Sequence, residues 1–240
     1  MIRYKKRSTE AELMDDLHLN RDQIKAILED INTANNMLGG NRITLKALKR
    51  LMDKDPLKEY EILDVGCGDG SLLREVALFC NKAGVKANLK GIDLNGESIA
   101  LARKKNADLK NTTFVQEDVF NLSPEKDGCD FLLCTLTLHH FREEEITQLI
   151  RKFSVLARTG AVINDLDRNR IAHVLFRMFS YVFMRTDIAR QDGLTSIKKG
   201  FTKKELLALS RDLPGMTHHI QWRWAFRYEW CFSHINPPLL

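Results

Sequence analysis

Through the middle of the chain, short apolar runs alternate with segments of helical periodicity. Apolar runs of strand length begin near residues 61, 89, 113, 129 and 161. Between them, segments such as Ser71–Leu78 and Glu143–Ala157 carry apolar residues three and four positions apart, as one face of a helix does. Nearly continuous apolar strands that alternate with helices are typical of a parallel sheet covered on both faces. The pattern therefore predicts an α/β protein.

The first 55 residues are predicted to be helical. Asn20–Gln23 has the form of a helix-capping sequence, and helical periodicity follows it until Gly39-Gly40 ends the helix. A second short helix is predicted over Ile43–Met52.

The chain ends with aromatic residues at every second position. They are Trp222, Trp224, Phe226, Tyr228, Trp230 and Phe232. Alternation of period two predicts β structure with one apolar face. We expect two short strands with a tight turn near Ala225, with the aromatic residues in the core.

The segment Glu61–Gly70 is the most informative in the sequence. An acidic residue, Asp64, ends the first strand, and Gly66, Gly68 and Gly70 follow before a helix begins. Glycines let the backbone turn sharply and approach a ligand closely, and the helix start offers unpaired N–H groups. The spacing is G-x-G-x-G, whereas a dinucleotide fingerprint is G-x-G-x-x-G and a P-loop continues with Gly-Lys-Ser/Thr. A carboxylate at this position suits a ligand with a positive amino group.

These residues resemble motif I of the class I S-adenosylmethionine-dependent methyltransferases, and three later segments resemble further motifs of that class. A second strand ends at Asp93, where a ribose-binding carboxylate is expected. The acid after the third strand, Asp118, is in the place that binds the adenine amino group. The segment from Cys129 through His139-His140 resembles motif IV. The resemblance implies that S-adenosylmethionine is the cofactor, with S-adenosylhomocysteine as product, and that these residues bind it: Asp64, Gly66, Cys67, Gly68, Gly70, Asp93, Leu94, Asp118, Val119 and Thr135.

The resemblance also implies an architecture. We expect a doubly wound, seven-stranded, mostly parallel Rossmann-like sheet over residues 56–240, preceded by an N-terminal helical cap over 1–55. Residues 167–201 exceed the short connection that this fold needs, and they are predicted to form a helical insertion that acts as a substrate lid.

One helix of that insertion is unusually apolar. Ile171–Met184 is apolar almost all round, with Arg177 as its one permanent charge. Such a helix is expected to be buried on every side. The N-terminal helices, another subunit or an apolar substrate could cover it.

His139 and His140 are the candidate catalytic residues. They follow the fourth strand, at the sheet edge where open α/β folds bind ligands, and histidine is suited to removing a proton at neutral pH. Leu-His-His-Phe resembles a small-molecule variant of motif IV, which favours O-methylation of an apolar phenolic, quinol or polyketide-type acceptor. The alternatives are structural histidines, a non-catalytic cofactor-binding subunit and an RNA methyltransferase. The motif IV sequences of nucleobase-methylating enzymes, Asn/Asp-Pro-Pro-aromatic or Pro-Cys, do not occur here, which disfavours nucleic acid.

Composition adds a few limits. Five cysteines without C-x-x-C spacing argue against a disulfide scaffold or a zinc site and for a reducing cytoplasm, and no metal is expected. The basic residues near the N-terminus precede no apolar stretch, so no secretion signal is predicted, nor is a membrane span.

The net charge of +5 is compatible with weak contact with a membrane surface. The apolar insertion is compatible with a homodimer.

Overall fold

Seven strands form a single sheet in the computed structural model, which describes residues 4–15, 19–54, 56 and 59–235. The strands are β1 (Glu59–Val65), β2 (Lys86–Asp93), β3 (Thr112–Gln116), β4 (Cys129–Thr135), β5 (Ala157–Leu166), β6 (Met216–Arg223) and β7 (Arg227–His234). The helices are α1 (Arg21–Met37), α2 (Gly40–Met52), α3 (Ser71–Ala83), α4 (Gly96–Lys105), α5 (Pro124–Asp127), α6 (Glu143–Leu156), α7 (Arg170–Phe183), α8 (Asp187–Lys199) and α9 (Lys203–Ser210).

The strand order is β3-β2-β1-β4-β5-β7-β6. The first five strands are parallel, and β7 and β6 are antiparallel to their neighbours. Chain order reverses between β1 and β4, which is the position where doubly wound sheets open a ligand crevice. The predicted seven-stranded Rossmann-like fold is confirmed. Its central strands are buried on both faces, as their apolar runs predict; Ile62, Leu63, Phe131 and Leu132 are each at most 2% exposed.

The N-terminal helices form where the sequence predicts them. Asn20 caps α1, and the reciprocal bonds with Gln23 are both present. Gly39 has a φ of +72°, and α2 starts directly at Gly40, three residues before the predicted start. Helix α1 packs against α4, α7 and α8, and α2 packs against β4, β5 and β7. Of the predicted cap over 1–55, residues 1–3, 16–18 and 55 lie outside the described residues.

The insertion over 167–201 is helical, as the sequence predicts, and contains the two helices α7 and α8. The prediction that α7 is buried all round is wrong. Only Ala172, His173 and Ser180 of this helix are buried, while a stripe of apolar residues faces solvent; it comprises Ile171, Val174, Leu175, Met178, Tyr181 and Val182. The inward side of the helix carries the three buried residues together with Phe176 and Phe179, which pack against a buried apolar cluster.

The C-terminal hairpin β6–β7 is confirmed, with its turn at Trp224–Phe226. Its aromatic residues are not all in the core. Trp230 and Phe232 on the inner strand β7 are fully buried, whereas Trp222 and Trp224 are 44% and 64% exposed. Strand β6 is the edge of the sheet, so its residues have a neighbouring strand on one side only.

Residues 4–15 lie against the insertion as an extended segment that ends in one 3-10 turn. The Ser8 N–H donates to the Lys198 carbonyl at 3.1 Å. The Arg7 guanidinium donates to the carbonyls of Lys199 and His139 at 2.8 and 2.9 Å. These bonds hold the segment across the carboxyl edge of the sheet. No described helix is long and apolar enough to cross a membrane.

Candidate functional site

A cavity of about 710 Å³ opens at the carboxyl edge of the sheet. It is bounded by α1, the glycine loop after β1, the ends of β2, β3 and β4, helices α7 and α8, and the turn of the β6–β7 hairpin. Pockets of this size and position are typical of small-molecule sites. Its walls are largely apolar at the insertion, with a set of polar and charged groups along the strand ends.

The glycine loop forms one wall, and its backbone needs glycine. Gly66, Gly68 and Gly70 have φ values of +72°, +53° and +73°, a region that L-residues with side chains seldom adopt. A Cβ on Gly66 would lie 2.3 Å from the Thr137 hydroxyl oxygen. At Gly68 a Cβ would meet only Leu28, at 3.3 Å, so the bare backbone faces the cavity. The loop therefore leaves room for a ligand close to its N–H groups.

A buried carboxylate, Asp64, and a half-buried one, Asp93, lie beside this loop. Asp64 is 2% exposed, and burial, aided by the charge of Asp93, raises its pKa to about 8. Burial also raises the pKa of Asp93, although N–H groups of Asn95 and Gly68 donate to its carboxylate at 2.9 Å and oppose the shift. A pair of acids held in this way favours a ligand that brings positive charge and hydroxyl donors. An aminoacyl sulfonium nucleoside has both.

Most of the other predicted cofactor-binding residues line the same cavity. Leu94 is an apolar side chain left 62% exposed beside it, and Cys67, Asp118, Val119 and Thr135 also line it. Gly70 does not line the cavity; its Cα faces Phe114, where a Cβ would lie 2.6 Å from the ring. The residues present thus fit S-adenosylmethionine, and their individual roles remain predictions.

His139 is held by a carboxylate from the neighbouring strand. Its Nδ1 lies 2.6 Å from Asp165 Oδ1 at the end of β5, and its backbone N–H donates to Asp165 Oδ2 at 3.2 Å. Burial alone would raise the pKa of Asp165, but the charge of His139 and hydrogen bonds from His139 and Leu166 lower it below its ordinary value. In the neutral form of His139, an ionised Asp165 keeps the proton on Nδ1, so the lone pair is on Nε2. That Nε2 atom is buried without a hydrogen-bond partner among the described residues.

His140 has a different environment. Its ring stacks at a tilt on His139, with centroids 4.4 Å apart, and its Nδ1 lies 3.3 Å from Asp15 Oδ2. Burial alone would lower the pKa of His140, but the hydrogen bond to Asp15 and the charges of Glu12 and Asp15 raise it above its ordinary value. His140 is therefore disposed to carry a proton, and its partners differ from those of His139.

Glu12 completes this cluster from the N-terminal segment. It is 3% exposed, and its carboxylate oxygens lie 3.7 Å from Nε2 of His139 and of His140. These three residues have the donor set and spacing that could hold a metal ion. The Lys199 ammonium, however, lies 3.1 Å from Glu12 Oε1 and already supplies a positive charge to that carboxylate. The prediction of no metal stays a prediction.

Sequence reasoning missed three groups at this site: Glu12, Asp165 and Arg227. Asp165 lies at the end of a predicted strand, so its position in the sequence could have identified it as a site residue. Glu12 comes from a segment without any motif. Arg227 begins β7 and lines the cavity while only 3% exposed, and only the tertiary fold brings it there.

Comparisons with known proteins agree with this reading of the fold. Residues 62–160 match the family model described as a methyltransferase domain. A malonyl-[acyl-carrier protein] O-methyltransferase from Ilyobacter polytropus is 33% identical over 69 residues, a stretch that covers 29% of this chain and 24% of that protein.

The similar solved structures extend over nearly the whole chain. A complex of the plantazolicin methyltransferase BpumL with S-adenosylhomocysteine has a TM-score of 0.66 at 16% identity, covering 93% of this chain and 98% of the other. Magnesium protoporphyrin IX methyltransferase from Synechocystis PCC 6803 has a TM-score of 0.57 at 16% identity, covering 90% and 89%. A methyltransferase from Aquifex aeolicus has a TM-score of 0.60 at 16% identity, covering 90% and 100%.

The fold, the glycine loop and the family match define a Rossmann-like methyltransferase domain. Residues 62–160 therefore carry a methyltransferase domain, and the similarity of the fold to S-adenosylmethionine-dependent methyltransferases agrees with what motif I predicts.

Proposed function

We propose that this protein transfers a methyl group from S-adenosylmethionine to an oxygen atom of an apolar small molecule of phenolic, quinol or polyketide type, with His139 as the general base. The observation that carries the proposal is the His139–Asp165 pair, whose unpartnered Nε2 lines the same cavity as the glycine loop.

When bound, the cofactor supplies an activated methyl group on a sulfonium. The glycine loop, Asp64 and Asp93 would hold it, with Leu94 and Asp118 beside the adenosine. The protein's remaining tasks are to orient the acceptor, to exclude water and to remove one proton. A phenol has an ordinary pKa of about 10, so loss of its proton is the step that a base assists at neutral pH.

His139 is suited to that step and His140 is not. Asp165 fixes the tautomer of His139 and stabilises the imidazolium that forms when Nε2 accepts a proton. The carboxylates beside His140 favour its protonated form. We therefore assign the base to His139 and assign to His140 a role in holding Asp15 and Glu12 over the site.

The lining of the acceptor end favours an apolar molecule. Phe176, Phe179 and Met184 of the insertion contribute to it together with Ile27 and Ile31 of α1. Few polar groups interrupt these walls, and shape and apolar contact are expected to set the choice of acceptor. The malonyl-[acyl-carrier protein] enzyme that is similar to part of this chain is itself an O-methyltransferase, which agrees with oxygen as the target.

A radiolabel experiment tests the proposal. The protein is incubated with S-adenosyl[methyl-³H]methionine and a lysate, which is then separated into lipid-extractable, RNA and water-soluble pools. The proposal is supported if label enters the lipid-extractable or the water-soluble pool and if this labelling is lost in Asp93→Ala. Label in RNA would instead favour an RNA methyltransferase. Calorimetric binding of the cofactor without transfer to any pool would favour a non-catalytic subunit.

A further inference from the structure

Arg227 is the least satisfied buried charge in the described part of the chain. Its Nη2 donates to Asn35 Oδ1 at 2.7 Å, and the guanidinium lies against Gly40, where an added Cβ would come within 2.9 Å of it. Its Nε and Nη1 are buried and have no hydrogen-bond partner among the described residues. No described carboxylate forms an ion pair with it within 4.0 Å. Buried charged groups are normally paired and hydrogen-bonded.

A second buried arginine shows what a structural role looks like in this protein. Arg168 is 6% exposed, and all three of its nitrogens are used. Its Nε donates to the Tyr4 carbonyl at 3.0 Å, Nη1 to the Gly200 carbonyl at 2.6 Å and Nη2 to Glu205 at 2.6 Å. Arg227 lines the cavity and lacks such partners, so its free donors are available to a ligand.

The position of Arg227 points to the acceptor rather than to the cofactor. Leu166, the residue after Asp165 on β5, pairs with Arg227 across the strands. Burial lowers the pKa of Arg227, and the charge of Asp165 acts on the guanidinium and opposes this shift. The guanidinium therefore lies near the His139–Asp165 pair. The glycine loop follows β1, which is three strand spacings from β7 in the sheet, so the two backbones are roughly 14 Å apart at about 4.8 Å per strand.

We propose that Arg227 binds an anionic oxygen group of the acceptor, a carboxylate or an ionised enol or phenol, so that the substrate is an apolar acid rather than a neutral apolar molecule. This inference rests on the proposed function and specifies its substrate class. The planar guanidinium can donate from Nε and Nη1 to two oxygens of a carboxylate at once. Beside the apolar walls of α1 and the insertion, the guanidinium would fix the orientation of an otherwise non-polar molecule.

The proposal predicts that substitution of the two buried arginines affects the stability of the ligand-free protein in opposite directions. Met is unbranched and of similar reach, so Arg227→Met removes a largely unpaired charge, and the thermal midpoint of the ligand-free protein should stay the same or rise. Arg168→Met leaves two carbonyls and Glu205 without donors and should lower it. If Arg227→Met lowers the midpoint as much as Arg168→Met does, the guanidinium is structural and the proposal is wrong.

A matched pair of probes tests the binding itself. 2-Naphthoate and 2-naphthamide share one shape and differ in charge, and each is titrated calorimetrically into protein saturated with S-adenosylhomocysteine. Wild type should bind the naphthoate at least about tenfold more tightly. That preference should vanish in Arg227→Met and return in part in Arg227→Lys. Equal affinity of wild type for the two probes would contradict the proposal.

A further experiment tests whether Arg227 binds a carboxylate of the acceptor or the carboxylate of the cofactor. S-Adenosylhomocysteine carries a carboxylate and 5′-methylthioadenosine does not. The ratio of their affinities should be the same in wild type and Arg227→Met. If this affinity ratio falls in Arg227→Met, the guanidinium binds the carboxylate of the cofactor and the proposal is wrong. Methyl transfer that depends on His139 but not on Arg227 would leave the proposed function intact while contradicting this inference.

Discussion

The central residue of the account, His139, links β4 to β5 through Asp165 and also faces Glu12 of the N-terminal segment. Replacing it by Ala should reduce turnover by about 10²–10⁴, the usual contribution of general base catalysis. Raising the pH toward 10 should rescue His139→Ala in part, because a phenol then ionises without help. Initial rates at pH 7 and pH 9.5 check this prediction.

His140→Ala is the matched control, because the two imidazoles are stacked neighbours with different partners. It should lose less turnover than His139→Ala and show no rescue at high pH. Equal rates for wild type and both variants at pH 7 would mean that positioning alone drives the reaction.

Asp64 should make stability depend on pH. Its folded pKa of about 8 lies above the ordinary unfolded value of about 3.9, so the folded state holds a proton that the unfolded state has lost. The stabilising contribution of Asp64 is thus complete below pH 4 and is lost as pH rises toward 8, at up to roughly 1.4 kcal/mol per pH unit.

Asp64→Asn removes this titration with little change in shape. The midpoint of urea unfolding for the variant, relative to wild type, should therefore increase from pH 5 to pH 8.5 in the absence of ligand. A difference between the two proteins that is constant across this range would show that Asp64 is ionised throughout.

At the scale of elements, α7 separates the cavity from solvent, and its two edges should respond differently to substitution. Phe179 lines the cavity, whereas Val182 is 69% exposed. Phe179→Ala should weaken acceptor binding and leave cofactor affinity nearly unchanged, while Val182→Ala should change neither. Calorimetric titration of acceptor and S-adenosylhomocysteine into each variant measures both. Unfolding of Phe179→Ala with loss of both affinities would mark the residue as core.

The strands and most helix starts could be predicted from sequence because their signals are local. Apolar runs buried on both faces, the capping pair at Asn20, and the glycine turn each depend on neighbouring residues. The outward stripe of α7 could not, because a count of apolar residues does not tell which side of a helix meets the protein. Ala172 and Ser180 pack inward here together with Phe176 and Phe179, whereas Val174, Met178 and Val182 are exposed.

The candidate site was predictable only in part, for a related reason. The glycine loop and both histidines follow strand ends, where the topology brings them together. Glu12 and Arg227 reach the cavity from opposite ends of the chain, and no local pattern marks either. Their roles depend on contacts such as Glu12–Lys199 and Arg227–Asn35, which exist only after folding.

At the scale of the whole molecule, the charge balance around the histidines bears on metal dependence. Lys199 pairs with Glu12, and the carboxylates of Asp15 and Asp165 contact the histidines, so we expect methyl transfer not to depend on a divalent cation. Dialysis against EDTA should leave methyl transfer unchanged, and added Zn²⁺ should not increase it. Loss of activity on chelation that Mg²⁺ or Zn²⁺ restores would instead assign Glu12, His139 and His140 as ligands.

The most direct test of the central claim is the rate of tritium transfer from S-adenosyl[methyl-³H]methionine to the acceptor, measured side by side with cofactor affinity. Asp93→Ala should bind the cofactor more weakly by about 1–3 kcal/mol, from the loss of charged hydrogen bonds, and should transfer label slowly at low cofactor concentration. His139→Ala should bind the cofactor as wild type does and yet transfer label about 10²–10⁴ times more slowly at saturation. Unchanged cofactor affinity in Asp93→Ala, together with unchanged transfer in His139→Ala, would contradict the account of both halves of the site.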